Sequence, residues 1–480
     1  MILSPASCII LAARVLRLPA HSREHTGVHV WTYVREDKET MAMERIALIS
    51  LGCAKNQINS EQMLCLLDDA GYRLTAEPDG ADAVIVNTCG FIDAAKSEAI
   101  DTILEMARLK AEGRLKKIIV TGCLSQRYRE EIRTELPEVD ALVGVGSFAE
   151  IVSVVRETLS GAPRPERFGD KNAPVDEVGR YLTSGPGWAY LKIAEGCSNR
   201  CAFCVIPEIR GRYRSRPMEN ILAEAGALAE SGVRELIVIA QDITRYGTDL
   251  YGRSRLAQLC RALSEIDGIA WIRLHYLYPD AFDDALIEEI AGNPKIVKYL
   301  DIPIQHINDG ILARMNRRGT GGEIRALLRK LRARIEGLVL RTSLITGLPG
   351  EGEAEFLELC AFLREARIER AGVFAYSPEE GTPAAAMPDR CDTEEAERRA
   401  ERLRQIQAEI LDAFDEARIG KTLRVLCTGE EDGWLTGRTY ADSPEVDGMV
   451  YFSGHSAPGD FALVRITGLL DGELCGEEVT

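Results

Sequence analysis

From Arg45 onward, short apolar runs alternate with longer stretches in which apolar residues recur every three or four positions. RIALIS (Arg45–Ser50), AVIVN (Ala83–Asn87), KIIVT (Lys117–Thr121) and ALVGV (Ala141–Val145) read as buried strands. Helical stretches separate them. In SEQMLCLLDDAG the expected helix is capped by Ser60 and stopped by Gly71. Apolar strands alternating with helices predict a parallel, doubly wound sheet. Residues 160–187 are rich in Gly, Pro and charge and read as a linker. A second series follows: AYLKI (Ala189–Ile193), ELIVIAQ (Glu235–Gln241), WIRLHYLY (Trp271–Tyr278), YLDIPIQ (Tyr299–Gln305), VLRTSLIT (Val339–Thr346) and AGVFAYS (Ala371–Ser377). These six strand–helix units predict a partial (β/α)6 barrel, with an open sheet as the alternative. A long charged helix over Thr393–Ala417 ends at Gly420. The remainder switches to short strands with turn signals, as in DGWLTGRTY, and reads as a small all-β barrel of the OB type. The chain is therefore expected to be an α/β protein. Its parts are an unstructured extension or misplaced start at 1–43, a parallel-sheet domain at 44–160, a linker at 161–182, a central barrel at 183–418 and a β barrel at 419–480.

Composition narrows the function classes. No apolar run approaches the roughly 18 residues of a membrane span. The opening CIILAA is short and interrupted by Arg14 and Arg17, which argues against a secretory signal. A formal charge of −17 argues against phosphate-backbone binding by the chain as a whole. Thirteen cysteines are too few for a disulfide-stapled scaffold and cannot all pair, so metal binding or catalysis in a reducing cytoplasm is expected. His21, His25 and His29 have a spacing that suits one helix face, but the plain reading is a disordered tail, or a start at Met41 or Met43.

Two sets of cysteines carry the chemistry. In EGCSNRCAFC, Cys197, Cys201 and Cys204 are spaced C-x-x-x-C-x-x-C in a loop directly after a strand. Three thiolates so close can wrap one face of a metal centre, and no nearby Cys or His supplies the fourth ligand that structural zinc wants. Cys53, Cys89 and Cys123 lie about one strand–helix unit apart, each just beyond an expected parallel strand. The carboxyl ends of neighbouring parallel strands open on one crevice, where distant thiols can converge. Flanking glycines (Gly52, Gly90, Gly122) would let the backbone come close to a bulky cluster. The competing reading is three unrelated buried thiols.

EGCSNRCAFC with its preceding strand resembles the radical S-adenosylmethionine signature. ISLGCAKNQINSE, VNTCGFIDAAKSEAI and VTGCLSQRY resemble the first domain of the methylthiotransferase family, and the final barrel looks like that family's TRAM domain. The resemblance covers about residues 44–480. It implies a 4Fe–4S cluster on Cys197, Cys201 and Cys204 that binds S-adenosylmethionine, with Phe203 near the adenine. It also implies a second, sulfur-carrying 4Fe–4S cluster on Cys53, Cys89 and Cys123. AEGCSNRCAFCVIPEIRGRYRSRP, RLHYLYP and GRTYADSPEVDGMVYFSG are similar to the branch that methylthiolates the β-carbon of an aspartate in small-subunit ribosomal protein uS12. That branch implies a protein partner rather than nucleic acid or membrane, and an electron donor such as a flavodoxin or ferredoxin.

One sequence feature supports a basic protein substrate independently. Residues 421–480 hold four basic and eleven acidic residues, a net of −7, which would repel tRNA and attract a ribosomal protein. Ordinary solubility is the alternative. Arg210, Arg212, Arg214 and Arg216 alternate after the cysteine loop, so an extended backbone would place them on one face, where they could grip a carboxylate; a solvated basic loop is the equal alternative for most of them. Gln305 and His306 close an expected barrel strand, and GLPGE (Gly347–Glu351) follows another; all are candidates to face the cofactor. Two rivals remain: a tRNA methylthiotransferase, which needs a basic surface near the last domain, and an iron–sulfur electron carrier or sensor, which needs no barrel.

Overall fold

The computed structural model describes residues 44–479, so the expected extension, with His21, His25 and His29, lies outside the described residues. They form two compact units that divide between Thr183 and Ser184.

In the first unit β1 (Arg45–Ser50), β2 (Arg73–Thr75), β3 (Ala83–Thr88), β4 (Lys117–Gly122), β5 (Ala141–Val143) and β6 (Glu166–Arg167) make one all-parallel sheet, ordered β2-β1-β3-β4-β5-β6. The helices are α1 (Ala54–Asp69), α2 (Asp93–Ala111), α3 (Cys123–Arg127), α4 (Arg129–Glu135) and α5 (Ile151–Leu159). The strand period of two sends Ile46, Leu48, Ile85 and Ile119 into a core shared with α1 and α5. Ala47, Ile49, Val84, Val86, Ile118 and Val120 go to the opposite core, shared with α2. Each fully buried Ile contributes roughly 1.5–3 kcal/mol. The helices after β1 and β3 cover opposite faces, so a topological switch point lies between those strands.

Two expectations change here. Helix α1 begins at Ala54, six residues before Ser60, because Ser60 bonds sideways to Ser50 (Oγ–Oγ, 2.8 Å) instead of capping. Gly71, at φ +90°, ends it as expected. The stretch read as a linker also does more than connect. Strand β6 extends the sheet, and Arg180 donates to Glu61 of α1 at 3.0 Å.

The second unit contains β7 (Trp188–Lys192), the short pair β8 (Ala194–Glu195) and β9 (Arg214–Ser215), then β10 (Glu235–Ile239), β11 (Trp271–Leu274), β12 (Ile296–Asp301), β13 (Val339–Thr346) and β14 (Arg370–Ala375). The six long strands form an unclosed parallel sheet in the order β14-β13-β12-β11-β10-β7, with helices between them. These helices are α6 (Ile206–Arg210), α7 (Met218–Glu230), α8 (Leu256–Ser264), α9 (Asp284–Gly292), α10 (Asp309–Arg314), α11 (Gly321–Arg334) and α12 (Glu353–Ala366), followed by α13 (Thr393–Glu416). Strand β11 stops at Leu274, short of the expected Tyr278. Tyr276 adopts φ +63° and gives its N–H to the Asp301 carboxylate (3.2 Å) rather than to a ladder.

Strands β15 (Thr422–Glu431), β16 (Trp434–Arg438), β17 (Val450–Ser453), β18 (Phe461–Leu470) and β19 (Glu473–Glu478) close a barrel around Val425, Phe452, Val464 and Ile466. Both of its hairpins turn on Asp-Gly, Asp432-Gly433 and Asp471-Gly472, with positive φ at all four residues, the signature of a tight two-residue turn. The loop between β16 and β17 reaches into the central sheet. Arg438 donates to Glu235 (2.8 Å), Arg273 to the Tyr440 carbonyl (2.8 Å), Tyr190 to Glu445 (2.8 Å) and Tyr299 to Asp447 (2.6 Å). Ser443 meets His275 Nε2 at 3.0 Å.

Asp442 anchors this loop, taking Arg370 at 2.5 Å and Arg418 at 3.0 Å. Burial would raise its carboxyl pKa, but Arg418 and Arg370 outweigh that and hold it well below the ordinary range. A depressed folded value means that the stabilisation is complete above the unfolded carboxyl value of about 3.9, and is lost only as pH falls through the folded one. Asp442→Asn should therefore cost about 3–5 kcal/mol at pH 7, because two guanidiniums are left buried without their carboxylate. Urea unfolding measures this; a loss under about 1 kcal/mol would remove the loop from the stability of the unit.

Candidate active site

The loop bearing Cys197, Cys201 and Cys204 leaves the carboxyl end of β7 and is closed at its base by the β8–β9 pair. Backbone bonds pin it from several sides: Cys197 N–H to Gly211 O (3.1 Å), Cys204 N–H to Cys201 O (3.0 Å) and Ala202 N–H to Met315 O (2.9 Å). Asn199 donates to Asp242 (2.8 Å) and Asn316 to the Arg200 carbonyl (2.8 Å). Beneath the loop, buried Glu195 accepts from Arg210 (2.9 Å), Lys192 (3.0 Å) and Gln241 (3.0 Å).

The three thiols lie close enough that their charges act on one another. Burial pushes Cys197 up to about 11, with Cys201 and Asp242 adding to the rise. Burial raises Cys204 further, with Cys201 and Cys197 contributing. Cys197 and Cys204 therefore resist ionisation unless a bound cation compensates. Cys201 also meets two polar groups. The Tyr278 hydroxyl is 2.8 Å from its Sγ, and Arg317 Nη1 donates to the same sulfur at 3.6 Å.

Phe203 is half-buried in an apolar patch with Ala202, Ile311, Met315, Leu348 and Ala384. Gln305, at φ +72°, bridges to β13, its N–H bonded to Ser343 O and its carbonyl accepting from Ile345 N–H, both at 2.8 Å. His306 is structural. Its Nδ1 accepts from Asn308 N–H (3.1 Å) and its Nε2 lies 3.3 Å from Glu351. Glu351, from GLPGE, also takes Thr346 (2.7 Å) and Arg399 (3.0 Å), so that turn anchors α13.

The arginines do not share one face. Arg210 is spent on Glu195, Arg216 on Glu224 (2.6 Å), and Arg214 on the carbonyls of Arg210 and Arg212. The segment is helical at Arg210 and extended only at Arg214–Ser215, which breaks the expected alternation. Arg212 lines a cavity of about 380 Å³ beside the cysteine loop, with Asn199, Tyr213, Asp242, Arg245 and Arg318. A larger cleft of about 510 Å³, near Arg261 and Glu289, lies on helices away from the thiols.

In the first unit the parallel register levels the strand ends, pairing Ser50 with Asn87 and Thr88 with Gly122. Cys53 stands as the N-cap of α1, Cys89 directly after β3, and Cys123 at the first position of α3. The turns meet around Asn56, whose Nδ2 donates to Leu51 O (3.0 Å) and Thr88 O (2.9 Å), while Cys123 Sγ lies 3.8 Å from its Oδ1. The glycines serve packing between these turns. A Cβ on Gly52 would sit 2.7 Å from Cys89 Cβ, and one on Gly90 would sit 3.1 Å from the Cys123 carbonyl carbon. Among the described residues no three His, Cys, Asp or Glu side chains are gathered as ligands of a single metal ion. A four-iron cluster is wider, each thiolate meeting its own iron, and converging thiol-bearing turns fit that body.

Sequence reasoning missed Asn56, Glu195, Tyr278 and Arg317. Tyr278 lay within RLHYLYP, but nothing in the string marked which of its aromatics would meet a sulfur.

A parallel α/β sheet with a three-cysteine loop at its carboxyl edge, over residues that match the radical SAM superfamily, places the chain among radical S-adenosylmethionine enzymes, a class that uses a 4Fe–4S cluster with S-adenosylmethionine. Residues 45–144 match the family described as uncharacterized protein family UPF0004, 191–363 the radical SAM superfamily and 419–479 the TRAM domain. The chain is 46% identical to ribosomal protein uS12 methylthiotransferase RimO of Trichlorobacter lovleyi over 92% of its length and 99% of the relative's. It is 48% identical to the protein of the same name from Geobacter sulfurreducens, with the same coverage. The chain belongs to this methylthiotransferase family. A solved radical S-adenosylmethionine methyltransferase, TsrM from Kitasatospora setae, shares the fold at a TM-score of 0.53 and 15% identity, over 71% of this chain and 77% of its own.

Asn56→Leu keeps the size but strands the Leu51 and Thr88 carbonyls. The expected loss is at least about 2 kcal/mol in the urea unfolding of the first unit, from two buried acceptors left unmatched. An unchanged transition would show that the three turns hold together without Asn56.

Proposed function

We propose that the chain attaches a methylthio group to the β-carbon of an aspartate in ribosomal protein uS12. The three-thiol loop at the carboxyl edge of the central sheet carries this reading. Relatives aligned over nearly their whole length, which bear that substrate in their names, support it. Cys197, Cys201 and Cys204 hold a 4Fe–4S cluster in a central domain at 183–418. Cys53, Cys89 and Cys123 hold a second, sulfur-carrying cluster in a domain at 44–160, which 161–182 joins to the centre. The barrel at 419–480 meets the substrate. Phe203 and Gln305 face S-adenosylmethionine, a flavodoxin or ferredoxin is the electron donor, and the reaction takes place in the cytoplasm. When bound, the cluster and S-adenosylmethionine supply one-electron chemistry that reaches a carbon no acid–base side chain can activate. The chain's own residues orient: Glu195 and Asp242 hold the thiol loop, and Asn56 gathers the turns of the first unit.

Reconstituted protein should hold about eight irons, four per cluster. Replacing Cys197, Cys201 and Cys204 by Ala should halve that number and abolish cleavage of S-adenosylmethionine. Replacing Cys53, Cys89 and Cys123 should stop methylthio transfer while cleavage continues. Full iron in the first variant, or full transfer by the second, would reject the assignment concerned.

The basic partner is supported by how the last barrel uses its charges. Arg424 lies 3.8 Å over the Phe461 ring, Arg438 is spent on Glu235, and Arg465 pairs with Glu477. Asp442, Glu445 and Asp447 turn to the central sheet, so the attraction is narrower than the net count implied. Glu430, Glu431 and Asp432 stand exposed at one hairpin tip. Asp432, at φ +49°, belongs to the turn and should be left intact. Glu430→Lys with Glu431→Lys should weaken binding to uS12 at 0.1 M salt. The difference should vanish near 1 M, as the Debye length shrinks from about 10 to about 3 Å. Equal affinity at low salt would assign the charge to solubility. Mass spectrometry of ribosomal proteins and tRNA, from cells with and without the chain, tests the substrate: methylthio-modified uS12 is expected, and modified tRNA alone would favour the tRNA enzyme.

A further inference from the structure

Among the three thiols of the central loop, Cys201 has surroundings of its own. Cys197 is hydrogen-bonded by both the backbone and the side chain of Asn199, and Cys204 by the backbone N–H of Ile206. Cys201 instead meets two side chains, the Tyr278 hydroxyl at 2.8 Å and Arg317 Nη1 at 3.6 Å. These side chains are fixed to one another. The Arg317 guanidinium stacks 4.3 Å over the Tyr278 ring, and its Nη2 donates to the Pro303 carbonyl. Arg317 is 7% exposed, so its charge is little screened.

We infer that Tyr278 and Arg317 tune the reduction potential of the cluster on Cys197, Cys201 and Cys204 by donating two hydrogen bonds to the Cys201 sulfur. The inference rests on the ligand assignment above. A thiolate bound to iron has only lone pairs to offer, so the tyrosine and the guanidinium must both be donors. Reduction brings one electron from the external donor onto the cluster and its thiolates, with no bond made or broken and no proton required. The added negative charge is stabilised by an O–H and an N–H aimed at the sulfur, and by a buried cation beside it, which raises the potential. Opposing charge is present as well, since Asp280 also acts on Arg317 and so partly offsets its field. Asp242 bears on Cys197, and Asp280 is shared by Arg245 and Arg318. The field at the cluster is therefore uneven, with its one cationic hydrogen-bond donor among the described contacts at Cys201.

The test is an anaerobic redox titration of the reconstituted full chain, followed by electron paramagnetic resonance. Wild type is compared with Tyr278→Phe, Arg317→Lys and Arg317→Met, and iron is counted in each. Arg317→Met should lower the reduced-to-oxidised ratio at a fixed potential at least tenfold, a shift of about 59 mV to more negative potential for a one-electron couple. Tyr278→Phe should shift it the same way by less, and Arg317→Lys should lie between wild type and Arg317→Met. If Arg317→Met loses the cluster, the other two variants still report the potential. An unchanged or raised potential in variants with full iron overturns the inference. The signal titrated is the one that replacing Cys197, Cys201 and Cys204 removes, the second cluster's remaining; if that replacement removes no signal, the ligand assignment fails instead, so the two failures are distinguishable.

Discussion

Parallel pairing is the constraint on which the rest of the molecule depends. A parallel sheet buries both faces, so its polar chemistry is driven to the strand ends, and the carboxyl ends collect on one edge. Both large sheets obey this, and all six candidate ligands sit just beyond such ends. In the first unit the level register of β1, β3 and β4 makes three cysteines more than thirty residues apart into neighbours, with Asn56 joining their turns. In the second unit one loop carries all three thiols, and the β8–β9 pair closes it. The first site is thus assembled by sheet register and the second by local sequence.

An unclosed six-stranded sheet leaves a second demand, because charged residues on its strands need partners. Glu235 and Arg273 are fully buried and pair with each other at 2.7 Å, yet each keeps a further site to satisfy. The β16–β17 loop provides these through Arg438 and the Tyr440 carbonyl, and adds Asp442 for Arg370 and Arg418. A buried charge without its partner costs several kcal/mol, so the small barrel belongs to the stability of the central sheet. Acidic residues that look in composition like one surface field are therefore divided, with Asp442, Glu445 and Asp447 paired to the central sheet and Glu430, Glu431 and Asp432 exposed.

Most of the framework was legible because it follows from periodicity and spacing. Strands β1 and β13 run over the expected residues, and α13 differs by one. Both cysteine sets were legible as spacings, the first as three thiols within one loop and the second as one thiol two or three residues beyond each of three strands, with three unrelated buried thiols as the competing reading of the second. What stayed hidden depends on long-range partners. The alternation of Arg210 to Arg216 suggested a shared face, whereas Glu195 and Glu224 draw two of them inward. Ser60 looked like a cap until Ser50 and Asn87 claimed its hydroxyl. WIRLHYLY looked like one long strand, and only the Asp301 carboxylate, on the next strand, explains why it turns at Tyr276.

The same dependence explains why an arginine, and not a lysine, suits the position beside Cys201. Its planar fork reaches a sulfur and a backbone carbonyl at once while its face lies on an aromatic ring, and a single ammonium cannot hold that geometry. Cys53 has a contrasting setting, exposed as the N-cap of the sixteen-residue helix α1, at the positive end of that helix. The two candidate ligand sets therefore differ in surroundings. Cys197 and Cys201 are buried and Cys204 is half-buried, with a phenol and a guanidinium at Cys201, whereas the first unit's thiols run from exposed Cys53 through half-buried Cys89 to buried Cys123. Burial lowers the local dielectric and strengthens each donor, so the central loop constrains the electronic environment of a centre bound there more than the turns of the first unit would.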